Sequence, residues 1–103
     1  MTKPLSETTL TLVKAKELIQ TKGWIKREYG DDVNGYCISG ALLMAIYGEV
    51  KFGALNNDKY AAAYNVLDSL LTTTSVIGFN DYIAKSKSDI IAFLDEGIAK
   101  SME

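Results

Sequence analysis

The segment from Cys37 to Tyr47, Cys-Ile-Ser-Gly-Ala-Leu-Leu-Met-Ala-Ile-Tyr, is apolar on every side of a helical projection except at Ser39. A helix that is hydrophobic all round has to be buried all round. The rest of the chain must therefore wrap it, and Gly48 supplies its stop. Its unbroken apolar run, Ala41 to Tyr47, is about a third of the ~20 residues that span a bilayer, so a core helix is expected and no membrane insertion. Gly40 costs about 1 kcal/mol relative to Ala inside a helix. Close approach of another backbone, or of a ligand, is expected there.

The remaining periodicities supply the wrapping. Leu12, Ala15, Leu18 and Ile19 recur at helical spacing between Thr9 and Lys22, with Ser6 and Thr8 as candidate caps and Gly23 as the stop. Tyr60, Ala63, Tyr64, Leu67, Leu70 and Leu71 make a stripe over a helix from Asp58 to about Leu71, with Asn56 or Asn57 as its cap. Ser86-Lys87-Ser88-Asp89 matches a capping box, and Ile90, Phe93, Leu94, Gly97 and Ile98 give the helix after it an apolar face. Its tail, Lys100 to Glu103, is expected to fray. Trp24 to Tyr36 breaks the periodicity and reads as a loop turning at Asn34-Gly35, with a short ribbon as the minor option. Val76 to Ala84 reads as a polar turn flanked by aromatics. The expected fold is all-α, a compact bundle of about four helices around a buried central one, with irregular loops and at most a minor β-ribbon.

At 103 residues, 48% hydrophobic and 23% charged, the chain 1–103 is expected to form one globular domain. Self-association into a homo-oligomer would assist so small a core. The net charge of −2 argues against long nucleic acid, which requires a basic surface. Lys26-Arg27 is the only adjacent basic pair and could hold one phosphate. A lone cysteine and an N-terminus without an apolar signal core lead to the expectation of a cytoplasmic protein.

Chemistry is bounded by what is missing. With no histidine and one cysteine, the Ser-His-Asp, Cys-His and metal-histidine arrangements cannot be built, and a structural zinc lacks ligands. Asp32-Val33-Asn34-Gly35 echoes a calcium loop, yet aligning Gly35 with that loop's glycine puts Gly30 and Ala41 where carboxylates are required. No Gly-Lys-Ser/Thr follows Gly30, Gly35 and Gly40, so they form no phosphate loop. Neither a metal nor a cofactor is expected.

Two places could carry a site. Cys37, at the start of the central helix, is either a small soft residue filling a gap or a thiolate favoured by the helix N-terminus and by Lys26 or Arg27. Asn80-Asp81 is either a turn bonding its own backbone or a polar site on a loop. Trp24 reads as a core or interface anchor with one face possible for a ligand.

These residues also resemble a known pattern. Ala15-Lys16-Glu17-Leu18, Gly23-Trp24, Tyr36-Cys37-Ile38-Ser39-Gly40-Ala41, Phe79-Asn80-Asp81 and Ser86 to Leu94 occur in the order of a family of small proteins of unknown function found in actinobacteria and phages. That family more often shows Trp where this chain has Tyr36 and Phe79. The resemblance spans nearly the whole domain and implies a shared architecture and a shared site, not a reaction.

The favoured reading is a non-enzymatic binding protein, its ligand-binding residues being Trp24, Lys26, Arg27, Tyr36, Cys37, Ser39, Asn80 and Asp81. The helix N-terminus with Lys26 or Arg27 suits an anionic group, and Trp24, Tyr36 and Phe79 suit a flat ring. A nucleotide-like ligand follows. For a phage-encoded chain, the family's occurrence adds sequestration of a host signal in the host cytoplasm. One alternative is a protein-interaction module or inhibitor of a host factor anchored by Tyr29, Tyr47 and Tyr82. Another is a thiol-dependent enzyme at Cys37.

Overall fold

A computed structural model describes residues 5–50 and 58–103 of the chain. The first helix, α1, runs Glu7–Lys22, two residues earlier than periodicity suggests, because the Ser6 side chain accepts the Thr9 amide and caps it. It ends at Gly23, whose φ of 107° no L side chain adopts readily. The central helix α2, Ile38–Tyr47, has Cys37 as its N-cap and the left-handed Gly48 as its stop. Ile38 through Leu43 are all buried, as an all-round apolar helix requires.

The segment between these helices is not the featureless loop favoured from sequence. It folds into the minor option, an antiparallel ribbon of β1, Gly30–Asp31, and β2, Gly35–Tyr36. The turn is held by Asp31, whose Oδ1 accepts the amides of Val33 at 2.9 Å and Asn34 at 2.7 Å. These bonds hold the Asp31 carboxyl below its usual range. A side chain bonding its own backbone two and three residues on does what a longer ladder would otherwise do.

Helix α3 spans Asp58–Asp68 and stops short of Leu71; the expected caps Asn56 and Asn57 lie outside the described residues. The stretch read as a polar turn is instead helical. A single turn, α4, Val76–Gly78, capped by Ser75, runs straight into a π-helical turn, Phe79–Ile83, closed by the Ala84 amide on the Phe79 carbonyl at 2.9 Å. The last helix, α5, covers Lys87–Ser101. Its capping box forms with a difference: Ser86 accepts from the Asp89 amide, but the Asp89 carboxylate reaches the Lys85 amide. The helix continues through Ser101, beyond the Lys100 at which fraying is expected, and the Ser101 hydroxyl is hydrogen-bonded to that of Thr9 at 2.6 Å.

The result is mainly α. α1 packs on α2 and α5, and α3 packs on all three. Leu12, Ile19, Leu42, Leu67, Ile90 and Leu94 are fully buried in the shared core. The Cα radius of gyration is 12.6 Å, against about 13 Å for a compact domain of this length. Among the described residues, no helix is long and apolar enough to cross a membrane.

Gly40 answers the expectation of a close approach. The neighbour is protein backbone: a Cβ on Gly40 would overlap the Tyr29 carbonyl, which accepts the Cys37 amide at 3.2 Å. Gly40→Ala is therefore expected to lower the free energy of urea unfolding by about 3 kcal/mol. Gly48→Ala, where a Cβ meets no atom within 4 Å and only the left-handed φ of 75° is penalised, is expected to cost about 1 kcal/mol in the same measurement.

Tyr36 gives the fold an alkaline limit. Its ring is buried and its hydroxyl donates to Asp32, and burial first, then that carboxylate, push its pKa from 10.0 up to about 12. The native state thus holds this proton more tightly than the unfolded chain. The stability it confers is present below about pH 10 and is lost as the pH rises toward 12. Urea midpoints measured from pH 9 to pH 12 should fall across that window, and Tyr36→Phe should flatten the fall, leaving the smaller part due to Tyr60 and Tyr64, whose pKa values burial also raises.

Candidate functional site

Gly23 turns the chain out of α1 so that Trp24 lies alongside Tyr36, with the Tyr36 amide on the Gly23 carbonyl at 3.0 Å and the Ile25 amide on the Tyr36 carbonyl at 3.2 Å. Residues 25–29 then arch over the start of α2. Arg27 sits at the top of this arch in a left-handed conformation, φ 66°, the only such non-glycine among the described residues. Its amide donates to Asp81 Oδ1 at 2.8 Å. An arginine in that region is strained by an amount of order 1 kcal/mol, and the carboxylate bond holds it there.

Asn80, in the π-helical turn, is 2% exposed and spends its whole carboxamide. Its Oδ1 accepts the Trp24 indole Nε1–H at 2.9 Å and the Ile38 amide at 3.1 Å. Its Nδ2 donates to the Ile25 carbonyl at 3.2 Å and to Asp81 Oδ1 at 2.9 Å. One side chain therefore ties the π-helical turn to the arch and to the first turn of α2. Such fully satisfied buried polar networks fix a unique local arrangement.

Between the arch, the α2 start and the turn lies a cavity of about 230 Å³, lined by Arg27, Glu28, Tyr29, Cys37, Ile38, Ser39, Val76, Ile77, Asn80 and Asp81. It is mostly apolar, with a few polar groups. Ser39 is buried, and its Oγ accepts the Tyr60 hydroxyl at 3.1 Å. Cys37 Sγ accepts the Gly40 amide at 3.3 Å. Burial pushes the Cys37 thiol pKa up, the Gly40 and Ser39 amides only partly oppose it, and the Asp81 carboxylate adds to the rise.

Of the residues singled out by sequence, Arg27, Cys37, Ser39, Asn80 and Asp81 meet at this cavity, while Trp24, Lys26 and Tyr36 do not line it. Trp24 supports the site from behind through Asn80, and the Lys26 ammonium lies 5.3 Å from the centre of the Trp24 ring. Tyr36 belongs to the core, and Phe79 packs on Phe93 with ring centres 4.5 Å apart. Trp24, Tyr36 and Phe79 thus line no common face of the cavity, because Tyr36 lies in the core and Trp24 and Phe79 pack against it. Sequence reasoning missed Glu28, Tyr29, Val76 and Ile77; only the helical period of Val76 onward, hidden by the Gly78 and Asn80 breakers, could have signalled the last two. Among the described residues, no cluster of three His, Cys, Asp or Glu side chains could hold a metal ion.

Comparison with known families matches residues 4–100 to a model described as a family of unknown function, DUF6197. The chain belongs to that family. No curated protein and no solved structure matches it. The DUF6197 description carries no activity, so what this member does has to be argued from its cavity and the network behind it.

Asn80→Ala would leave the Trp24 indole N–H, the Ile38 amide and the Ile25 carbonyl without their partner. An unsatisfied buried group costs about 1–3 kcal/mol, and with part of that recovered by water a loss of about 3 kcal/mol is expected in urea unfolding. Loss of the bonded indole N–H resonance from its native position in the NMR spectrum would check the mechanism.

Proposed function

We propose that this chain is a non-enzymatic binding protein whose small, nucleotide-like ligand seats in the cavity between the arch, the α2 start and the π-helical turn. The observation that supports this best is the cavity itself, about 230 Å³, with its mostly apolar lining and its floor fixed by the four bonds of Asn80. Small-molecule sites are concave, apolar and largely pre-formed, with few polar groups to orient the ligand. Sequestration requires no more than this. A homo-oligomer fits the exposed Ile77 on the cavity lining and the exposed Ile83 in the adjoining π-helical turn, which a second copy would cover.

A second reading, a protein-interaction module acting on a host factor, draws support from Tyr82, 70% exposed with the Arg27 guanidinium 5.3 Å from its ring centre. Exposed aromatic and arginine pairs are frequent anchors in protein interfaces. A thiol-dependent enzyme draws the least support, since burial favours the neutral Cys37 thiol.

Native mass spectrometry of gently purified protein, repeated after denaturation, separates the two readings. A discrete excess mass that disappears on denaturation is the expected result. A bare polypeptide mass, together with retention of a partner protein that Tyr82→Ala abolishes, would favour the interaction module.

A further inference from the structure

We infer that the cavity reads the lactam edge of a heterocycle, a ring carbonyl beside a ring N–H as in an oxo-pyrimidine or oxo-purine base, and that it does not take the ligand's phosphate. This rests on the proposed binding function and assigns the polar contacts of that same cavity.

The amides that would make the α2 N-terminus a phosphate cradle are already spent. Ile38 N–H goes to Asn80, Gly40 N–H to Cys37 Sγ and Ala41 N–H to the Cys37 carbonyl at 2.9 Å. An anion placed there would have to displace protein acceptors and would face the Asp81 and Glu28 carboxylates that line the same space.

Two other groups on the lining have unspent capacity. Ser39 is 4% exposed; its Oγ accepts from Tyr60, while its own hydroxyl proton goes to no acceptor among the described residues. A serine hydroxyl that already accepts one bond donates the more strongly, so Tyr60 primes Ser39 to donate to a carbonyl oxygen. Asp81 directs Oδ1 to the Arg27 amide and Asn80 Nδ2, which leaves Oδ2 without a hydrogen-bond partner among the described residues. That oxygen can only accept, and so matches an N–H. One donor and one acceptor on the lining of a single cavity complement a ligand edge with one acceptor and one donor. The volume agrees: a dry cavity of about 150 Å³ admits benzene, so about 230 Å³ admits a single heterocyclic ring system and leaves any sugar or phosphate outside.

The test is an NMR titration of the ¹⁵N-labelled full chain with uracil and cytosine, each used as its N1-methyl derivative so that only the N3 edge is compared, and with uridine 5′-monophosphate and inorganic phosphate, the Trp24 indole N–H resonance confirming that each variant keeps the Asn80 network. Uracil is expected to shift the amides of residues 37–39 and 77–81 and to bind more tightly than cytosine, which presents a bare ring nitrogen where uracil has N–H. Ser39→Ala should weaken uracil about fivefold to tenfold, the loss of one hydrogen bond. Asp81→Asn should reverse the uracil-to-cytosine preference, since an amide can present N–H where the carboxylate only accepts; a merely structural role for Asp81 would not invert selectivity. Tighter binding of the monophosphate than of uracil would mark a nucleotide as the source of the edge, and equal or weaker binding a free base. Saturable shifts at these amides by inorganic phosphate or cytosine in preference to uracil would overturn the lactam assignment while sparing the pocket. Absence of shifts there with all four probes would overturn the lactam assignment, and with it the binding function if native mass spectrometry also finds a bare chain.

Discussion

The carboxamide of Asn80 closes the hydrogen-bond accounts of three segments that have no ladder or helix to do it for them. Trp24 just past the end of α1, Ile25 in the arch and Ile38 in the first turn of α2 each bring an indole or backbone group inward at this point, where the π-helical turn presents Asn80. Buried without a partner, each would cost about 1–3 kcal/mol, which is comparable to a large share of the stability of a domain this size. An aliphatic residue of similar volume could fill the space and would leave these groups unpaired. Asparagine, with a donor and an acceptor on one planar group, meets both demands.

That network acts only because glycines let the backbones approach. The Tyr29 carbonyl crosses the face of α2 where Gly40 has no side chain, and Gly35 passes Gly23 so closely that a Cβ there would strike the Gly23 carbon at 2.5 Å. These contacts are the reason a ribbon of only two paired residues per strand persists. Isolated hairpins are marginal in water, but this one is clamped between the end of α1 and the start of α2, with Tyr36 anchoring it in the core. The price of helix propensity at Gly40 is offset by the seating of the arch.

Much of this was legible in the sequence. The buried central helix, its glycine stop, the Ser6 and Ser86 caps and the meaning of Gly40 follow from period, capping chemistry and steric economy, all of which are local. The ribbon was harder to favour because its stability comes from packing between α1 and α2 and not from alternation within its own strands. The turn at Val76 to Ala84 was misread for a related reason: Gly78, Asn80 and Asp81 are poor helix formers, and their helical conformation is imposed by Ser75 capping, Phe79 packing on Phe93 and the four bonds of Asn80. At the candidate site, Cys37, Ser39, Asn80 and Asp81, which line the cavity, were legible because polar or reactive types stood out against apolar surroundings. Tyr36 and Phe79 were assigned to a ligand because an aromatic beside a loop carries the same signal whether it faces a pocket or the core. Nothing in the sequence distinguishes the two until the chain is folded.

The π-helical turn explains how adjacent residues come to serve different ends. Closing five residues back, it carries one residue more than an α-turn, and that wider loop lets Asn80 enter the protein while Asp81 remains half-buried on the cavity wall. Asp81 is nonetheless held by the structure on one oxygen only, through the Arg27 and Asn80 donors. A carboxylate oriented by two donors on Oδ1 presents Oδ2 in a fixed direction without further ordering cost, which is what pre-organisation of a binding group means physically. The strained Arg27 backbone belongs to the same device, since its left-handed conformation is what turns its amide toward Asp81. Strain at the arch, an uncommon helix turn and a carboxylate held on one oxygen thus converge on the wall of one cavity.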